Sequence, residues 1–382
     1  MIQLTARQLN RSTIVRQALT ARVPRSVEDA VRHLVALQAQ EPASPYLALW
    51  NRLDAFHPAA LDTALHDRSI VKSNAVRMTL HLTHADDYPQ VREATEPTIR
   101  AARLRDARFT VAGLTDVLAD ALANEMLAVA HQPRTSDELS AWLADRLGDA
   151  AHPGAWWGLR QYSPLLRAPT DAPWSFSTKT SYVAPRVVPR LPHPAASEES
   201  LRSYILRYLT AFGPASVADM AVFMLIQRGR LNAAVKALGD QLVRYSGPNG
   251  EALCDVPNGP IPDEDLDAPP RLLGMWDNVL LAYHDRGRVI PPEYRRTVIR
   301  INGDVLPTLL VDGYVAGLWR ATDAGIEARP LHPLPEEVWD ALAEEAVSLQ
   351  QFIADRDPLV FRRFNHWWEK LPPAETRLLP GN

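Results

Sequence analysis

Residues 216–256 read SVADMAVFMLIQRGRLNAAVKALGDQLVRYSGPNGEALCDV, and this stretch sets the fold. Ser216 and Asp219 form a helix-capping signature. The hydroxyl can meet the first free amides of a helix while the acid reaches back to the cap's own amide. The apolar run MAVFMLI follows at once, and a further helix is expected over residues 229–243. Residues 242–246 and 251–256 read as strands around Gly247-Pro248-Asn249-Gly250, a turn signal. An earlier helix is expected at 198–211. Helix, turn, helix, helix and hairpin in that order make a winged helix.

The same order recurs upstream. Thr135-Ser136-Asp137-Glu138 precedes LSAWLADRL, with helices expected at 114–131 and 153–165. LLRAP, TDAP and WSFST then read as strand, turn, strand. A first copy starts at Ser26-Val27-Glu28-Asp29 before AVRHLVAL, after a helix at 5–20. Its capped helix is expected to end near Gln38, because Pro42 and Pro45 break it. Helices PYLALWNRL and PAALDTALHD follow, then β-like SIVKS and MTLHLT, then a helix from residue 83 to about 105. Pro-rich connectors cover 183–197 and 257–270. Beyond them the chain turns β-rich, with Asp312-Gly313 as a two-residue hairpin signal. An amphipathic helix, PEEVWDALAEEAVSLQQFIAD, comes last. The expectation is a mainly α protein with small β-sheets, an α+β fold. Three tandem winged helices would occupy 1–110, 111–190 and 191–262, followed by a β-rich region with its terminal helix at 263–382.

Composition narrows the function. The chain has 382 residues, enough to bury a core without staples. Its one cysteine, Cys254, excludes an internal disulfide and Cys-rich metal sites, and fits a reducing cytoplasm. No apolar run is long enough to span a membrane. Net charge is −4, yet basic residues cluster locally, as in Arg100, Arg103, Arg105 and Arg108, or Arg286, Arg288, Arg295, Arg296 and Arg300. Such faces can bind phosphate on an acidic chain. Only four of the 41 basic residues are lysines. That leaves few amines for covalent catalysis, and none adjoins the glutamine motif below in sequence.

The usual catalytic signatures are missing. There is no P-loop, no dinucleotide fingerprint, no nucleophile elbow and no HExxH, and the histidines show no metal spacing. No metal or cofactor is expected. Leu37-Gln38-Ala39-Gln40 is the odd element. On a helix the two amides would point far apart; on extended backbone they share a face. The plainer alternative is two polar residues closing a helix. Asp277 and Asn278 interrupt an apolar run that His284, Asp285 and Arg286 close; the alternative there is a bulge or turn with solvent-exposed charges. Arg77 precedes the strand that carries His81, which a core hydrogen bond would also explain.

Five blocks carry a family resemblance: LVALQAQEPASPYLALWNRL, VRMTLHLTHADDY, YLTAFGPASVADMAVF, WDNVLLAYHDRGRVIPPEYRR and GDVLPTLLVDGYVAGLWR. In this order they resemble the AlkZ/YcaQ-type bacterial winged-helix DNA glycosylases, over residues 3 to about 355. The resemblance implies a concave basic cleft for duplex DNA. It also implies excision of N7-alkylated purines, including bulky adducts and interstrand crosslinks. The family's Gln-apolar-Gln motif maps onto Gln38 and Gln40, and the second glutamine points to the AlkZ branch. A functional hairpin in the DNA cleft maps onto 276–288. Arg77, His81, Asp277, Asn278, His284, Arg286 and Arg288 are therefore the candidate DNA contacts. Met78 stands where the family's strand block carries glycine, which puts close backbone approach there in doubt. The expected activity is monofunctional base excision, without a lyase step, by a monomer that uses no membrane. A non-catalytic winged-helix regulator, or a protein-binding scaffold, is the alternative.

Overall fold

The computed structural model describes residues 2–148, 153–372 and 374–380; the side chains of Arg108 and Pro153 lie outside that description. The stretch that opened the sequence reading folds in the expected order. Helices Pro194–Phe212, Val217–Met224 and Arg228–Leu238 lead into the antiparallel strands Val243–Ser246 and Ala252–Asp255. The Ser216 hydroxyl accepts from the Asp219 amide and the Asp219 carboxylate accepts from the Ser216 amide, completing the reciprocal cap. Strand Ile2–Gln3 adds alongside Val243–Ser246, in parallel.

The middle copy differs in one strand. Thr135 and Glu138 cap helix Ser136–Leu147 reciprocally, and helix Pro153–Tyr162 leads into strand Leu166–Ala168. The return strand is Ser181–Val183, not the WSFST run. Trp174 of that run is buried against Tyr46, with ring centroids 5.0 Å apart, so its apolar character reflects core packing.

The first copy departs more. Ser26 caps helix Val27–His33, which stops five residues short of Gln38. Gln38 instead lies in strand Leu37–Gln38, paired with His81–His84, which pairs in turn with Ile70–Ser73. Ile70–Ser73 then meets Leu166–Ala168 of the middle copy through Lys72 and Arg167. The hairpins of two copies therefore close into one six-stranded sheet.

The C-terminal region is a five-stranded antiparallel sheet of Arg271–Leu273, Thr308–Val311, Tyr314–Thr322, Gly325–Pro330 and Arg377–Leu379. Its hairpin turns at Asp312-Gly313, both in the left-handed region. Helix Glu336–Ile353 buries Trp339, Leu342, Ala346, Leu349 and Ile353 against it. One core joins this sheet to the first copy, with Leu47, Leu49, Leu82, Leu272 and Trp319 in a single cluster. A second core joins Ala36 and Val71 to Tyr204, Phe212 and Phe223 of the third copy. The strands around Gln38 thus run between two apolar cores.

Candidate active site

The local chain path explains how the glutamine pair comes to border a cavity. After Val27–His33 ends, Val35 takes a positive φ of 69° and the chain turns into the Leu37–Gln38 strand. Gln38 lies opposite His81, and the Ala39 amide donates to the Leu80 carbonyl at 2.8 Å. The backbone is extended here, the condition under which both amides share a side. Gln38, only 7% exposed, and the exposed Gln40 border one cavity of about 560 Å³. Met78, Thr79, Leu80, Trp276, Arg160, Arg167 and the 302–304 turn are among its other lining residues.

A buried network fixes Gln38. Arg77 Nη2 donates to Gln38 Oε1 at 2.6 Å and to His81 Nε2 at 3.0 Å. A guanidinium can only donate, so Nε2 holds the lone pair and the imidazole proton sits on Nδ1. That proton goes to the Thr79 carbonyl at 3.0 Å. Burial, then the Arg77 charge, holds the His81 imidazole well below its ordinary range, so the ring is neutral. Burial also pulls Arg77 down to about 10, which leaves it charged at neutral pH. Gln40 is freer: its Oε1 has one long contact, 3.4 Å from the Leu80 amide.

Backbone strain sits beside the pair. Arg77 and Met78 have φ of 51° and 54°, consecutive left-handed residues without glycine. The conformation that glycine favours is retained, and the Met78 side chain fills part of the cavity wall.

The other expected contacts divide. Asp277 and Asn278 are corrected to internal structural residues. Asp277 is buried and paired bidentately with Arg52 at 2.7 and 2.8 Å. The Asn278 amide, also buried, donates to the Ala36 carbonyl. Neither can reach DNA without leaving a buried partner. Arg288 Nη1 donates to the Pro214 carbonyl at 2.9 Å, and its guanidinium lies 3.9 Å from the Tyr283 ring centre. His284 is exposed, and its amide donates to Asp219 at 2.8 Å. His284 and Arg288 border a different cavity, of about 480 Å³. Arg286 is half-buried, pulled down to about 10 by burial and then by Arg295.

Residues 276–288 form no hairpin; they make the short 3-10 turns Asn278–Leu280 and Arg286–Arg288. A reversal does wall the glutamine cavity, at 299–305, where Ile299 and Val305 bridge across a turn containing Asn302-Gly303. Trp276 Nε1 braces it by donating to the Gly303 carbonyl at 3.0 Å. Ile301 at its tip is fully exposed. The Asn-Gly pair between apolar runs was the signal for it.

Lys72, distant in sequence, does adjoin the motif in space. It borders a second cavity of about 420 Å³ together with Gln40 and Glu41. Glu41 is paired with Arg363, and burial raises its carboxyl above the usual range.

A family model described as DNA glycosylase AlkZ-like matches residues 31–352. An interstrand DNA cross-link repair glycosylase of Streptomyces sahachiroi is 25% identical over 350 residues, 82% of this chain and 87% of that protein. The solved structure of the Streptomyces sahachiroi DNA glycosylase AlkZ superposes with a TM-score of 0.77 at 23% identity, covering 93% of this chain and 98% of that one. The family match spans most of the chain, including the glutamine cavity, and the chain belongs to the AlkZ-like DNA glycosylase family.

Proposed function

We propose that this glycosylase excises N7-alkylated purines from duplex DNA, including bulky adducts and interstrand crosslinks, with Gln38 and Gln40 as its catalytic residues. The carrying observation is the shared cavity: two amides on extended backbone, facing one space, with no carboxylate on the motif itself. N7-alkylation already makes the base a cationic leaving group. Its C1′–N bond then breaks towards an oxocarbenium-like state without strong acid help. The remaining work is to place a water and to favour the developing positive charge.

The two glutamines divide that work. Gln38 Oε1 already accepts from Arg77, which leaves one lone pair for a water and places a cation behind it. Gln38 is therefore the water-positioning group. Gln40 Oε1, with only its long amide contact, is free to turn its dipole towards the sugar. Neither amide is a base, so the proton passes to solvent after the water oxygen has bonded to C1′.

A crosslinked base is tethered to the opposite strand and cannot be flipped alone into a closed pocket. The exposure of Gln40 fits an open site. Ile301, fully exposed on the turn whose residues 302–304 line the cavity, would wedge between base pairs beside the lesion. Arg160 and Arg167, which line the cavity, would hold phosphates, a role that fixes register without reading sequence.

The direct test uses a duplex with one N7-alkyl-dG, incubated with the protein and then heated in base. Strand cleavage at the lesion reports an abasic product. Binding without cleavage would favour the non-catalytic regulator.

A further inference from the structure

We propose that His81 is a positioning residue for base excision, holding the Gln38 amide in its working orientation through Arg77. The proposal rests on the glycosylase reading, in which Gln38 places the water. The sequence made His81 a candidate DNA contact. It is 1% exposed, however, and both ring nitrogens are taken up inside the protein, so it cannot touch DNA. Its place is behind the glutamine. Arg77 Nη2 carries two protons. One goes to Gln38 Oε1 at 2.6 Å and the other to His81 Nε2 at 3.0 Å, so both are committed.

A glutamine amide can turn end for end, exchanging its oxygen for its NH2. With the NH2 towards a guanidinium, donor would face donor. Arg77 therefore fixes which end of Gln38 is oxygen, but only while Nη2 stays in place. Its hydrogen-bonding partners among the described residues are Gln38 and His81; Nη1 is buried without one. Its backbone is strained, with φ of 51°, in a turn closed by the Thr79 amide on the Val76 carbonyl at 3.0 Å. His81 steadies both parts. Nε2 accepts from the guanidinium, and Nδ1 donates to the Thr79 carbonyl of that same turn. A strained conformation beside a site persists because its surroundings hold it, and the imidazole is part of that hold.

The arrangement holds only while the ring is neutral. A proton on Nε2 would set N–H against N–H and cation against cation. The charge that faces the ring is Arg77. Arg286, and Tyr204 and Tyr208 from helix Pro194–Phe212, act on Arg77 in turn. Burial raises both phenols, so they are neutral. Ser73, opposite His81 on the neighbouring strand, is uncharged, and Lys72 beside it lies on the other face. Burial, then Arg77, holds the imidazole well below its ordinary range, so the relay is set at neutral pH and released only in acid.

The test measures single-turnover excision of one N7-methyl-dG in a duplex at neutral pH, with DNA affinity and the folded state checked beside it. His81→Leu, which removes both ring nitrogens, should slow excision roughly ten- to a hundredfold while DNA affinity stays within about twofold. His81→Gln, whose amide oxygen reaches the Nε2 position and accepts from Arg77, should recover to within about threefold of wild type. In a Gln38→Ala background His81→Leu should cost less than about twofold, because the group it positions is gone. Arg77→Met keeps the stem and removes the relay, so it should be as slow as His81→Leu and decides if that variant misfolds. A folded His81→Leu or Arg77→Met at the wild-type rate, no recovery in a folded His81→Gln, or an equal cost of His81→Leu with and without Gln38 would overturn the proposal. A wild-type chain that excises no N7-alkylated purine overturns the glycosylase reading and this proposal with it; excision that the variants leave unchanged overturns this proposal alone.

Discussion

Two stretches put polar pairs into apolar sequence, and the structure treats them oppositely. At Gln38 and Gln40 the chain runs along a strand that ends at a cavity, which the buried Gln38 and the exposed Gln40 both border. At Asp277 and Asn278 it turns between two cores, and both side chains meet internal partners. The first pair borders a cavity; the second holds neighbouring segments together. A polar break in an apolar run therefore marks either a site or a clamp, and only the surrounding packing tells which.

The sharpest way to break this contrast is Asp277→Ala. It leaves the Arg52 guanidinium buried and unpaired, so a loss of about 3–5 kcal/mol is expected. Urea unfolding measures it. A loss below 1 kcal/mol would mean Asp277 is no clamp, and a DNA role for it would reopen.

Gln38→Ala and Gln40→Ala should act first on rate. Each should slow excision roughly tens- to hundreds-fold, the double variant less than additively; Gln40→Ala should leave stability nearly unchanged, while Gln38→Ala, which takes an acceptor from the buried Arg77 guanidinium, should also cost about 1–3 kcal/mol. Single-turnover rates beside unfolding curves separate the two effects. Wild-type rates in both folded variants would remove these residues from catalysis. Gln40→Asp should keep activity on simple N7-alkyl purines.

A smaller effect concerns pH. His81 and His33 are both held below their ordinary range, in each case first by burial. Below about pH 6.5 the unfolded chain takes protons that the folded chain refuses, so stability falls as pH falls. Each histidine contributes up to about 1.4 kcal/mol per pH unit until its folded pKa is passed. His81→Gln should flatten the stability profile on the acid side by one proton. An unchanged profile would mean that His81 is protonated in the folded chain and that its lone pair does not accept from Arg77.

The smallest shift is expected at Met78→Gly. A left-handed φ costs a residue with a Cβ roughly 1–2 kcal/mol, while glycine loses some of this gain through its unfolded-state entropy. Thermal unfolding should show a change between neutral and about 1 kcal/mol more stable. A clear loss would show that the Met78 side chain contributes more through packing than its backbone costs.

Much of the fold was legible in short-range chemistry. The caps at Ser26, Thr135 and Ser216, and the turn at Asp312-Gly313, act over a few residues, so their residue types suffice to place them. The glutamine motif was legible too, together with its need for extended backbone. Some local signals were present but outweighed. The apolar run at Trp174 looked like a strand because burial favours the same residues in a core.

What tertiary structure alone decided is which side chains share a space. Lys72 is 32 positions from Gln40, and Asn302 lies in another sheet's connections, yet both border cavities that Gln40 borders. The joining of two hairpins through Lys72 and Arg167 brings these segments together. Strand pairing between distant segments depends on which edges and apolar faces remain uncovered after the local elements form. Local residue chemistry fixes those elements; the sum of packing over the whole chain fixes which of them meet.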